Sequence, residues 1–276
     1  MPSLLCSKVP GNARLLILSI RELLDRVPPE HSTHRPLRRL PDGRFLADWF
    51  GCALSSVFQP IVRASDGHVV AHEAFIRSLD GGEPELSPWS LFSATADDEH
   101  LFALDWLCQT IHPLNAFGAR GDRLLFLNVN GRLLSAVDKD PGQAFRKLVE
   151  ALGLQPERIV IETPLEASLQ PCLLAFVLRN YRANGFQVAV NVDSLAQWQR
   201  ISSAAWTQFV KIDARKLAVS GDGAVGDFNW LEVLREKATI VITHLETPFE
   251  AADPAGIWLQ GNAYGKPVPR PLSLVG

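Results

Sequence analysis

One methionine, two tyrosines and four cysteines are all that 276 residues hold of these types, and the scarcities exclude things. Cys6, Cys52, Cys108 and Cys172 stand far apart with no Cys-x-x-Cys pair. That spacing argues against a zinc site or a disulfide frame and predicts reduced thiols in a cytoplasmic protein. A membrane span is missing too. The apolar run in "RLLILSIRELLDR" is broken by Arg21, Glu22, Asp25 and Arg26, and no small-residue cleavage site follows it. Nor is there an excess of positive charge: 27 Lys+Arg against 30 Asp+Glu give a net charge of -3. No global pull toward a nucleic-acid polymer or a membrane is expected, although a local anion site needs only a few cations.

What is present suits a large core: 47% of residues are hydrophobic and 21% charged. Residues 13–26 read as an amphipathic helix with Leu16, Ile20, Leu23 and Leu24 on one stripe, ended by Pro28-Pro29. That stripe fits the rest of the chain or a second copy of it. The polar, proline-bearing "EHSTHRPLRRLPDGR" reads as a basic linker, so residues 1–50 form an extension and 51–276 the main domain. Within that domain eight strands are expected, at Val57–Val62, Val69–Arg77, Leu124–Asn130, Ile159–Glu162, Gln187–Asn191, Phe209–Asp213, Thr239–Thr243 and Ile257–Gln260. Helical patterns lie around Leu101–Ile111, Gln143–Leu152, Leu173–Asn184 and Asn229–Lys237, with Gly185 at a C-cap position. The alternation predicts an α/β fold, a TIM-like (β/α)8 barrel. "RASDGH" is too short for a crossover helix, so the first two strands should pair antiparallel through Asp66-Gly67.

Polar residues gather at the C-terminal ends of these strands: Glu73, Asn128, Glu162, Asn191, Lys211, Asp213, Glu246 and Gln260. In a closed barrel such ends converge on one mouth. Glu73, Asn128, Glu162 and Asn191 are oxygen donors suited to a hard cation such as Mg or Mn. Each, taken singly, also fits a strand-end cap or turn.

Read in order, the motifs resemble the EAL domain, a family that hydrolyses or senses cyclic di-GMP. The likeness runs from Phe58 to Pro267. "FQPIV" is similar to the opening strand and "HEAFIR" to the Glu-Ala-Leu segment, with Phe75 in the leucine's place. "LNVN", "VIET", "VKIDARKL", "LETPFE" and "QGNAYGKP" follow in the family's sequence. The resemblance implies metal-ligand positions at Glu73, Asn128, Glu162 and Asn191, and catalytic positions at Lys211 and Glu246. It implies ligand contacts at Gln59, Pro60, Phe75, Arg77, Asp213, Glu246, Gln260 and Gly261.

The departures concentrate on the metals. Where the family has Asp-Asp-Phe-Gly-Thr-Gly, this chain has Asn191-Val192-Asp193-Ser194-Leu195. The family's second acid after Glu162 is Leu165, with Glu166 displaced by one. Two cations about 4 Å apart need several shared anionic oxygens, and Asp193 lies roughly 6.6 Å beyond Asn191 along the strand. The resemblance therefore implies a catalytically impaired cyclic di-GMP receptor with an incomplete metal site. No cofactor is required, and Mg or Mn is confined to a single weak site. Two alternatives stay open: a weak metal-dependent phosphodiesterase, and a nucleotide-independent interaction regulator that engages a protein partner or a second copy of the chain.

Overall fold

Asp66 and Gly67 turn the chain back on itself, with Gly67 at φ 71 and its N–H donating to the Arg63 carbonyl at 2.9 Å. The tip is held by the Arg63–Asp66 ion pair at 2.7 Å. This turn joins β3 (Cys52–Arg63) to β4 (Val69–Ser78), which pair antiparallel as expected. The computed structural model describes residues 37–78, 98–116, 123–131, 140–217, 229–250 and 253–271. The helix expected over Ala13–Arg26 lies outside the described residues.

Six shorter strands follow: β5 (Leu124–Asn128), β6 (Ile159–Thr163), β7 (Gln187–Val192), β8 (Phe209–Asp213), β9 (Thr239–Thr243) and β10 (Ile257–Leu259). From β5 to β10 each pairs parallel with its predecessor, and β10 closes antiparallel on β3. The result is a closed barrel of eight strands in which β3 alone runs against its neighbours. Helices α1 (Asp98–Ala116), α2 (Pro141–Ala151), α3 (Pro171–Ala183), α4 (Leu195–Ala204), α5 (Ala214–Leu217) and α6 (Asn229–Arg235) lie along the chain between strands. Gly185, at φ 90, ends the turn after α3, as its placement after the helical pattern predicts.

Two strands and two helices, α4 and α5, go beyond the sequence reading. β1 (Arg38–Arg39) and β2 (Phe45–Trp49) extend the sheet outside the barrel, with β2 antiparallel to the first residues of β3. Part of the segment read as linker thus joins the sheet. The physical reason is a second core: Phe45, Ala47 and Trp49 bury their side chains with Leu104, Cys108 and Ile111 of α1. Helix α4 begins at Ser194, whose hydroxyl accepts from the Gln197 N–H as an N-cap.

Side chains alternate along each strand and sort the barrel into layers. Leu125, Ile161, Val190 and Ile212 face the helices, whereas Ile61, Phe126, Val160, Ala189, Phe209 and Val241 fill the interior floor. One pleat further toward the strands' C-terminal ends the interior turns polar, and there the site is built.

Candidate functional site

The polar layer is a single hydrogen-bonded network around Lys211. Its Nζ donates to Glu73 Oε2 and to Glu162 Oε2, each at 2.6 Å. Asn128 Nδ2 donates to Glu73 Oε1 at 2.7 Å, and Gln260 Nε2 to Glu73 Oε2 at 2.7 Å. Asn191 Nδ2 reaches Glu162 Oε1 at 2.8 Å and the Thr163 carbonyl at 3.0 Å. Thus Glu73, Asn128, Glu162, Asn191, Lys211 and Gln260, brought from six strands or strand ends, meet at one place. The period-two alternation of each strand puts them all on the inner face.

Burial makes this network electrostatically tense. Glu73, Glu162 and Lys211 are nearly inaccessible to solvent. For Lys211, burial pulls against the ammonium, but the charges of Glu162 and Glu73 outweigh it and keep the lysine protonated. Burial and the charge of Glu73 push the Glu162 carboxyl up to about 7, against the pull of Lys211. Burial also opposes ionisation of Glu73, yet Lys211 and the donors from Asn128 and Gln260 hold it below the usual range. Two carboxylates share one ammonium, so the pair as a whole holds a proton to near neutrality.

The donors offered to a metal follow from the same contacts. Lys211 bridges Glu73 and Glu162 and compensates their charge. Val192 is buried in the outward-facing core, and Asp193 is exposed. Among the described residues no three His, Cys, Asp or Glu side chains group so as to hold a metal ion. The oxygen donors at this mouth are two carboxylates, Glu73 and Glu162, and the amide oxygens of Asn128 and Asn191.

The remaining sequence-predicted residues lie around the rim. Gln59 Nε2 donates to the Gly265 carbonyl at 3.1 Å, and its Oε1 accepts from Gln260 at 3.3 Å. Pro60 is buried next to it along β3, where a Cβ on Gly265 would meet its ring at 2.5 Å. Phe75 and Arg77 follow Glu73 on the same face of β4, with the guanidinium 5.7 Å from the Phe75 ring and donating to the Ile76 carbonyl. Gly261 is required sterically, because a Cβ there would fall 2.1 Å from the Leu245 carbonyl oxygen. Glu246 is exposed and held by Asn262 Nδ2 at 2.9 Å. It is not part of the Lys211 network. Asp213 likewise stands apart from that network, bound by the Arg215 guanidinium at 2.6 Å.

One rim residue was not assigned from sequence. His244, at the end of β9, has φ 59 and places Nδ1 3.0 Å from Thr243 Oγ1 and 3.6 Å from Asp213 Oδ2. No spacing in the sequence signals it, since its neighbours come from the backbone twist and from β8.

Comparison with protein-family profiles matches the EAL domain over residues 51–223. Comparison with curated protein sequences gives no match. Among solved structures, Bacillus subtilis YkuI, an EAL-domain protein in complex with substrate c-di-GMP and calcium, is 24% identical with a TM-score of 0.65; the match covers 80% of this chain and 56% of that one. Klebsiella pneumoniae BlrP1, solved with manganese and cyclic di-GMP, is 20% identical with a TM-score of 0.59, covering 85% and 58%. A standalone EAL protein from Vibrio cholerae O395, in its c-di-GMP-bound form, is 17% identical with a TM-score of 0.59, covering 81% and 96%. The chain thus spans little more than half of YkuI and BlrP1, and at these identities the likeness establishes the fold. No described helix is long and apolar enough to cross a membrane.

Proposed function

The chain belongs to the EAL domain family, and we propose that within it the protein is a catalytically impaired receptor for cyclic di-GMP in bacterial second-messenger signalling. The observation that carries this reading is the position of Lys211 Nζ, 2.6 Å from a carboxylate oxygen of both Glu73 and Glu162. Phosphodiester hydrolysis by a metal pair needs anionic oxygens that bridge two cations and activate a water. Here the two buried carboxylates are matched by an ammonium and by amide donors, and Asn191 binds Glu162 with its nitrogen. Lys211 and Glu246 are vestiges of catalysis on this reading. A single Mg or Mn ion would have to displace Lys211, so metal binding is weak and no cofactor is required.

Ligand binding does not depend on the metals. Gln59, Phe75 and Arg77 present polar and aromatic surface at the mouth, above the buried Gln260, and an arginine offers paired donors to a phosphate. Titration calorimetry with cyclic di-GMP, in EDTA and in Mg, tests the proposal when combined with analysis of the products. Binding in both conditions without a linear dinucleotide product is expected. Arg77→Ala should weaken binding by about one to two orders of magnitude, the worth of a charge-assisted hydrogen bond. Turnover at ordinary phosphodiesterase rates would make the protein an enzyme. Absence of binding at high micromolar nucleotide would turn attention to the interaction regulator.

A further inference from the structure

His244 is one of two non-glycine residues with positive φ among those described. A left-handed backbone is costly for a residue with a side chain, and such strain collects at functional sites. The imidazole is 54% exposed at the mouth, and its surroundings fix which nitrogen is available. Thr243 donates its hydroxyl hydrogen to the Ile212 carbonyl at 3.2 Å, so its oxygen accepts from His244 Nδ1–H at 3.0 Å. Asp213, 3.6 Å from the same nitrogen, favours the proton there too and is itself pinned by Arg215. This is the way an acid orients a working imidazole. Nε2 is left as the nitrogen that gains or loses a proton.

The charges facing His244 are Asp213 and Arg215 at the end of β8 and start of α5, and Lys211 and Glu73 in the barrel. Glu246 lies two residues along its own loop. Three carboxylates against two cations leave the immediate surroundings of His244 negative. An entering phosphodiester anion therefore requires another positive group. We infer that His244 is an anion-contacting residue of this mouth: its Nε2–H donates to a phosphodiester of the bound dinucleotide, and the imidazole takes up a proton as the ligand arrives. Burial, then Arg215 and Lys211, hold the imidazolium below its ordinary range against the pull of Asp213, so the free protein carries it neutral. The inference rests on the receptor reading above.

Calorimetry with cyclic di-GMP in EDTA at pH 7, in two buffers of different ionisation enthalpy, measures the protons taken up. Wild type should take up protons on binding. His244→Gly suits the left-handed backbone, and His244→Asn tolerates it, so both variants should melt no lower than wild type. In both, affinity should fall about ten-fold or more, as expected for loss of a hydrogen bond to a charged group, and proton uptake should drop. Wild-type affinity with undiminished uptake in both variants overturns the assignment of His244 and leaves the receptor reading standing. A wild-type protein that binds no nucleotide removes the receptor reading, and this inference with it.

Discussion

A carboxylic acid packed beneath a helix must either find donors or keep its proton, and Asp105 on α1 does some of each. It accepts from Gln109 Nε2 at 2.5 Å and from the Asn130 N–H at 3.4 Å, yet burial still pushes it up to about 7. Its ordinary value is 3.8, so the folded state binds a proton that the unfolded chain releases between those limits. The sign follows: the stability it contributes is complete below about pH 4 and is lost as pH rises through 7. Asp105→Asn mimics the protonated acid. It should gain about 1–3 kcal/mol over wild type at pH 8 and lose that advantage toward pH 4. Urea unfolding at pH 4, 6 and 8 measures this, and parallel profiles for the two proteins would contradict it. Nothing in the sequence around Asp105 announces this burial. Asn128, Glu162 and Asn191 are legible because each stands at the end of an apolar strand, and Glu73 because its motif marks the same inner face within β4. Asp105 and His244 owe their character to partners from other elements and to a backbone angle, which spacing does not encode.

Elements were legible to the extent that they repeat a pattern. The eight barrel strands are apolar runs bounded by polar residues, and all eight form. β2 escaped notice because "FLADW" is short and follows a basic, proline-bearing stretch; only its packing on α1 makes it a strand. Helix α4 carries a polar surface and was missed in spite of Ser194 at its start. The joint between α2 and α3 is another feature that spacing hides. Asp140 caps α2 by accepting from the Gln143 N–H at 2.8 Å, and the same oxygen accepts from Asn180 at 2.8 Å and Asn184 at 3.0 Å at the end of α3. Gly142 completes the joint, since a Cβ there would lie 2.7 Å from both asparagine side chains. One oxygen thus ends one helix and begins another. Asp140→Ala should cost about 1–2 kcal/mol, at the upper end for an N-cap because three donors lose their acceptor. Chemical denaturation measures it. A change within a few tenths of a kcal/mol would mean that water replaces the carboxylate without loss.

At the scale of the molecule, Lys211 ties three strands across the barrel, β8 to β4 and to β6, with its ammonium 5.7 Å from the ring of Phe126 on the floor below. A buried ion pair adds little over a well-packed apolar core, but removing one partner leaves charge without compensation. Lys211→Met keeps the volume and strands two carboxylates in the interior. The loss should be about 3–5 kcal/mol near neutral pH. The pH dependence distinguishes this cause from poor packing. Without the ammonium, both carboxyls prefer their protons, so the folded state binds protons that the unfolded chain releases. The variant should therefore regain stability as pH falls from 8 toward 5, more steeply than wild type, in which only Glu162 is raised. Adding Glu162→Gln to Lys211→Met should recover part of the loss at pH 8, because only Glu73 then remains to be neutralised. A pH-independent loss, unrelieved by the second substitution, would show that Lys211 acts through packing. The same pair of variants bears on function: with the ammonium gone, Glu73 and Glu162 become free to bind Mg. Stabilisation of Lys211→Met by millimolar Mg, with none in wild type, is the expected outcome if Lys211 occupies the place of the cation.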